Sequence, residues 1–241
     1  MSILIETIPF EQIKKIGIHA NTYNNRLTCA QVQQKYQADY VMNFGLYKGD
    51  TYLPVLSLKS EDQWLVKEDN FEGLSFDENG ISFGKAYDSI YKNFVTGYPT
   101  LIRGGNIADF TDPSDMLGDR GRSGAGIGED YNLVLSCIGE EAGDEDYTLT
   151  EFANRMIQYK VRSFINLDGG LSSQCIFPTG TITSPRVVQN FLYIILYKPV
   201  YRVQVGSYRD KQRSYNFANQ CSEILNNNGI ITTPFIQTYY L

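Results

Sequence analysis

Five segments in the first half of the chain, near residues 52–59, 62–67, 80–84, 90–95 and 99–103, are short and rich in aromatic or β-branched residues. Gly, Asn or Asp turns separate them. Such side chains fit a pleated surface, and runs this brief between turn residues predict antiparallel sheet. Longer strands are expected over 13–20, 39–44, 131–138 and 162–167. Thr28 with Gln31, and Thr148 with Glu151, have the spacing of a capping box, in which each side chain satisfies a backbone N–H of the helix start. They predict helices to about residue 37 and, with Leu149, Phe152, Met156 and Tyr159 at near-helical spacing, through Lys160. The reading is an α+β fold, a mixed, largely antiparallel sheet with flanking helices, followed by a small C-terminal βαβ segment. The expected division is 1–197 and 198–241.

The stretch 166–173, Asn-Leu-Asp-Gly-Gly-Leu-Ser-Ser, concentrates the chemistry. An apolar run ending at Leu167 delivers Asp168 into Gly169 and Gly170, which tolerate positive φ and let backbone approach a ligand closely. Backbone N–H groups of that turn, with the Ser172 and Ser173 hydroxyls, suit phosphate or sugar oxygens. Asp-Gly is also a common tight-turn dipeptide, so this stretch alone leaves turn and site open.

Three further segments precede it in order: Asn43-Phe44-Gly45-Leu46 after a strand, Pro99 to Arg103 leading into Gly104-Gly105, and Arg122-Ser123-Gly124-Ala125-Gly126. Together the four motifs resemble the phosphodiester glycosidase family over roughly residues 10–195. That resemblance implies hydrolysis of a glycosidic sugar–phosphate bond through an oxocarbenium-like state that a carboxylate stabilises or attacks. It implies Asp168 as that carboxylate and Arg122 as its phosphate-binding partner, because guanidinium matches phosphate oxygens and keeps its charge. Asn43, Gly45, Gly169, Gly170, Ser172 and Ser173 are expected to bind substrate, with Arg103 a further anion candidate. Phe44, Leu46, Gly124 and Leu171 depart from the family pattern. Phe44, Leu46 and Leu171 motivate the alternative of a noncatalytic pocket for a phosphorylated sugar or nucleotide-like ligand, and the absence of an export signal that of an intracellular hydrolase of a phosphodiester metabolite or nucleotide signal.

His19, the single histidine, closes the 13–20 strand and is a candidate acid or base near neutral pH. Glu129 and Asp130 are candidate second carboxylates. The acidic run 140–146 offers hard oxygens for a divalent cation such as calcium, though its spacing fits no calcium loop, and a solvated loop is the plainer reading. No other cofactor and no metal-ligand set is expected. The widely spaced Cys29, Cys137, Cys175 and Cys221 form no CxxC pair and read as free thiols.

At 241 residues and 42% hydrophobic content the chain can bury a sizeable core. A net charge of −6 argues against binding nucleic-acid polymers or an anionic membrane surface. The 18 tyrosines suit either sheet packing or carbohydrate contacts. The N-terminus has no basic region or apolar run of signal-peptide length, so the chain is expected to be cytoplasmic as synthesised.

From Lys198 onward the charge turns positive, with five Lys/Arg against two Asp/Glu. Here Tyr201-Arg202-Val203-Gln204-Val205-Gly206-Ser207-Tyr208, a helical stretch 211–228 and a strand-like 230–240 resemble the first half of a SPOR domain. That family binds peptidoglycan glycan strands. The resemblance implies a cell-wall or surface glycopolymer as substrate; together with the absence of a signal peptide it leads to the expectation of action at the wall after phage-type release, and the half-module is expected to pair with another copy in a homo-oligomer or to pack on the catalytic domain.

Overall fold

A computed structural model describes residues 3–68, 70–111, 116, 118, 120–140, 147–198 and 211–227. In chain order its strands are β1 (Ile3–Ile8), β2 (Ile13–Ala20), β3 (Tyr40–Asn43), β4 (Tyr47–Lys48), β5 (Leu53–Pro54), β6 (Leu58–Ser60), β7 (Gln63–Val66), β8 (Glu72–Asp77), β9 (Gly80–Lys85), β10 (Asn93–Thr96), β11 (Thr100–Arg103), β12 (Asn106–Ile107), β13 (Arg122–Gly128), β14 (Leu133–Ile138), β15 (Val161–Asn166), β16 (Cys175–Phe177), β17 (Gly180–Ile182) and β18 (Asn190–Leu196). The helices are α1 (Cys29–Tyr36), α2 (Leu149–Ile157) and α3 (Lys211–Asn227). Residues 1–197 and 198–241 form separate compact units. In the second, α3 occupies most of the expected helix, and the strands expected on either side lie outside the described residues.

Instead of one mixed sheet there are three antiparallel ones. Six strands run in the order β1-β14-β13-β15-β11-β12, five in the order β17-β16-β3-β18-β2, and five in the order β7-β6-β10-β8-β9, with β4-β5 a separate ribbon. The two helical crossovers explain the difference. β2-α1-β3 and β14-α2-β15 each join strands that run the same way, yet an antiparallel strand, β18 or β13, lies between the members of each pair.

Both helices start at the predicted caps. Thr28 and Gln31, and Thr148 and Glu151, make reciprocal hydrogen bonds to the first turn. α1 stops at Tyr36 because Gln37 adopts a left-handed conformation at φ 50°. It covers Val41, Phe191 and Tyr193, while α2 covers Leu101, Val134 and Phe164. No helix among the described residues is long and apolar enough to cross a membrane. All four cysteines are free.

The third core joins the three sheets, with Ile16, Met42, Phe76, Val95, Leu135 and Ile165 among its members. Phe44, one of the departures from the family motif, belongs to this core, edge-on to Phe76 at 5.9 Å. Apolar packing is non-directional and does not itself fix how two sheets are offset. A polar tie does so here. The fully buried side chain of Asn43, at the end of β3, accepts hydrogen bonds from Ser123 Oγ of β13 (2.8 Å) and from Gln174 N (3.0 Å), and donates from Nδ2 to the carbonyl of Asp168 (2.5 Å).

Asn43→Ala leaves those three groups buried without their partner, which costs about 2–4 kcal/mol in total. Urea unfolding of wild type and variant should show that loss. A difference under about 0.5 kcal/mol, the range of ordinary surface substitutions, would show that the tie is dispensable.

Candidate active site

Asp168 emerges from β15 with its backbone held on both sides by the end of β3. Its N–H donates to Phe44 O (3.1 Å) and its carbonyl accepts from Asn43. The following turn is equally constrained. Gly170 N–H donates to Gly121 O (2.7 Å), and a side chain at Gly169 would place its Cβ 2.7 Å from that oxygen, so only glycine fits there. Gly170 has φ +59° and opens the 3-10 turn Gly170–Ser172.

The side-chain environment is enclosed. Asp168 Oδ2 and Ser173 Oγ are buried with no hydrogen-bond partner, as is Asn166 Oδ1 two residues earlier. Three orphaned oxygens along one strand end and its turn are unusual, since buried polar atoms are nearly always paired. Burial pushes the Asp168 carboxyl up to about 6, against the opposing pull of the Ser172 hydroxyl, the Arg186 charge and the Gly169 N–H. An acid in that range can serve either as general acid or as base near neutral pH.

Arg186 and Tyr47 complete the cluster, and the sequence reading missed both. Arg186 Nη1 donates to Ser172 Oγ (3.3 Å), while its own carbonyl is held by Gln174 Nε2 (2.8 Å). Burial, then the charge of Asp168, pushes the Tyr47 hydroxyl upward, so it stays a neutral donor at physiological pH. Arg26 stacks over Tyr52 (4.2 Å) and Tyr23 (4.7 Å) and acts on Tyr47, adding positive charge on this side. Gly45 is pinned by Asn190, which accepts from its N–H (2.6 Å) and donates to its carbonyl (3.0 Å).

Other candidates lie elsewhere. The backbone of Arg122 adjoins Gly169, but its buried guanidinium donates to the carbonyls of Tyr147 (2.8 Å), Met116 (2.9 Å) and Gly118 (2.8 Å). It fastens a loop where a phosphate contact was expected. Arg103 sits at the end of β11 away from Asp168, paired with Glu72. His19 lies two strands from Asn43, across Phe191, and both its ring nitrogens are engaged: Asn21 Oδ1 accepts from Nε2 and Tyr36 Oη donates to Nδ1, each at 3.1 Å. The tautomer follows from Asn21, whose Nδ2 donates to two carbonyls and whose Oδ1 therefore faces the histidine. Burial, helped by the Lys35 charge, lowers the His19 pKa and keeps the ring neutral.

Glu129 and Asp130 follow β13 at the end where Glu129 N–H meets Lys160 O, opposite Asp168. Glu140 is at the correct end. Its Oε2 accepts a short hydrogen bond from Gly121 N–H and lies 3.7 Å from where a Cβ of Gly170 would sit. Within an acidic run it read as a solvated loop residue; only the pairing of β13 with β14 and β15 shows where it goes. Leu171 is 52% exposed, so it lies on the rim of the turn instead of filling the site. Among the described residues no cluster of three or more His, Cys, Asp or Glu could hold a metal ion, and residues 141–146 of the acidic run lie outside them.

The turn thus brings together a carboxylate with one buried, unpartnered oxygen, a guanidinium and hydroxyls. The sequence profile of the phosphodiester glycosidase family matches residues 22–195, and the chain belongs to that family. Among solved structures it is similar to the catalytic domain of zebrafish N-acetylglucosamine-1-phosphodiester α-N-acetylglucosaminidase auto-inhibited by its pro-peptide, at 15% identity and a TM-score of 0.64, covering 80% of this chain and 82% of that one. It is also similar to a hypothetical protein from Synechocystis, at 12% identity and a TM-score of 0.66, covering 81% of this chain and 59% of that one. No curated protein sequence matches the chain.

A carboxyl whose pKa is raised by folding contributes stability that is present below its unfolded value of about 4 and lost as pH rises through about 6. Asp168→Asn removes the buried charge, so it should raise unfolding stability by about 1–3 kcal/mol at pH 8 and leave it nearly unchanged at pH 4. Thermal unfolding at the two pH values measures this; a variant less stable than wild type at pH 8 would mean the carboxylate is structurally required.

Proposed function

We propose that the protein hydrolyses the glycosidic C1–O bond of a sugar–phosphate diester. Family membership supports the reaction class, and the single observation carrying the site is the enclosed, partnerless Oδ2 of Asp168 beside Ser172 and Arg186. As the C1–O bond breaks, positive charge develops at the anomeric centre, which the Asp168 carboxylate stabilises or attacks. The departing phosphate goes from one negative charge to two, and Arg186, aided by the Ser172 and Tyr47 hydroxyls, receives the added charge. Water supplies the oxygen that replaces the phosphate at C1, and we assign Glu140 to move its proton.

The sugar and the polymer it belongs to are finer questions. A cell-wall or surface glycopolymer is the substrate we favour, on the resemblance of the C-terminal segment to a peptidoglycan-binding module. The noncatalytic alternative is not favoured, because Phe44 packs in the core and Leu171 is exposed, so neither departure closes the site.

With a panel of sugar 1-phosphodiesters followed by mass spectrometry, Asp168→Asn should lower kcat by about a thousandfold or more, as loss of a group acting on the transition state does. Unchanged turnover would overturn the assignment. Glu140→Gln keeps an acceptor for Gly121 N–H but cannot move a proton, so kcat should fall about 10²–10⁴-fold and one limb of the pH profile should disappear. Full activity in that variant would reduce Glu140 to a loop fastener.

A further inference from the structure

Three segments beside the Asp168 turn are tied together at one backbone oxygen. The carbonyl of Val188, two residues after Arg186, accepts from Asn21 Nδ2 (2.8 Å) and from Tyr52 Oη (2.7 Å), and all three residues are buried. Asn21 also grips Leu27 from both sides, accepting from its N–H (2.8 Å) and donating to its carbonyl (2.9 Å). Tyr52 closes the turn between β4 and β5, its N–H donating to Lys48 O (2.8 Å). It does so at φ 57°, a left-handed conformation that a bulky residue keeps only where its surroundings fix it. Each tied segment contributes one group: Arg186, Tyr47 of the β4–β5 ribbon, and Arg26 next to Leu27.

Of these three, only Arg26 has no part in the hydrolysis described above. Its guanidinium lies over the rings of Tyr52 (4.2 Å) and Tyr23 (4.7 Å), and its Nε donates to Tyr23 O (3.2 Å). Paired backbone bonds between Thr22 and Asn25 (3.1 and 3.2 Å) close the turn that carries Tyr23. Among the described residues no carboxylate pairs with Arg26, and its two Nη groups make no hydrogen bond. Two rings and a carbonyl therefore hold a guanidinium still while its fork stays open, in a chain whose net charge is −6. Such a fork matches the paired oxygens of a phosphate. Tyr52 also meets Tyr47 edge to face at 5.5 Å, so Arg26 stands about one sugar unit from where Tyr47 and Arg186 receive the scissile phosphate. A pyrophosphate, whose two phosphates are joined directly, would crowd both at Arg186. A repeating glycosyl phosphate places its next phosphate one sugar away.

We propose that Arg26, on its platform of Tyr23 and Tyr52, is a second anion site that takes the phosphate one sugar away from the scissile one. The proposal rests on the hydrolase reading above and makes the substrate a chain of repeating phosphodiesters instead of a single sugar–phosphate diester.

The test compares two synthetic glycosyl phosphates of equal length and identical scissile bond, one with a second phosphodiester and one with that phosphate masked as its neutral methyl triester. Wild type should show a KM about tenfold lower for the doubly charged compound, and Arg26→Gln should remove that preference, while Arg26→Lys, which keeps the charge, retains part of it. Added salt should shrink the wild-type preference, as it does for an exposed charge contact. A preference that is absent from wild type, survives in Arg26→Gln or ignores salt would overturn the second anion site. If wild type hydrolyses neither compound, the hydrolase reading fails instead. Arg26 is then judged by NMR titration of Arg186→Gln with millimolar inorganic phosphate, which should perturb the Arg26 Nε–H signal; no perturbation overturns the proposal.

Discussion

The side chain of Asn43 is the contact on which the rest of the site depends. Three sheets meet in an apolar core that has no directional preference of its own, and this one buried amide spans from the end of β3 to β13, to Gln174 just before β16 and to Asp168. Hydrogen bonds in such a dry environment are strong when made and costly when broken, so they set position as well as stability. The glycine turn is then fixed from its other side by Gly121, whose carbonyl leaves no room for a Cβ at position 169.

Within that frame the electrostatics are a contest between burial and one nearby cation. Burial of the Asp168 carboxyl prevails over the Ser172, Arg186 and Gly169 contacts, which leaves a carboxyl poised near neutrality. Had the Arg122 guanidinium faced the same carboxylate, a desolvated ion pair would hold it firmly ionised. Arg122 instead donates to three loop carbonyls, and the more exposed Arg186 is the guanidinium beside Ser172.

What could be read in the sequence was local. The capping boxes at Thr28 and Thr148 marked both helix starts, because a cap is a matter of three or four adjacent residues. The Asp-Gly-Gly turn and the strand feeding it were likewise legible. Strand order was not: β1, paired with β14 across some 130 residues of chain, was not expected as a strand at all, and the crossovers gave no sign that β13 and β18 lie between the strands they join. The same blindness governed the side chains. Arg122 and Arg186 are equally good guanidiniums on paper, Glu140 is one of several acids in a run, and only nonlocal pairing distinguishes which of them reaches the turn. His19 looked like an acid–base candidate by residue type, and the neighbours that occupy it, Tyr36 and Asn21, come from a helix and a loop.

Folding desolvates Asp168 while leaving one of its oxygens without a partner. Carbon-13 NMR of the aspartate carboxyls, with Asp168 assigned by comparison with Asp168→Asn, measures its titration directly. Desolvation predicts a midpoint near 6. A midpoint at or below the ordinary value of about 4 would contradict it, because the carboxylate would then be solvated or paired.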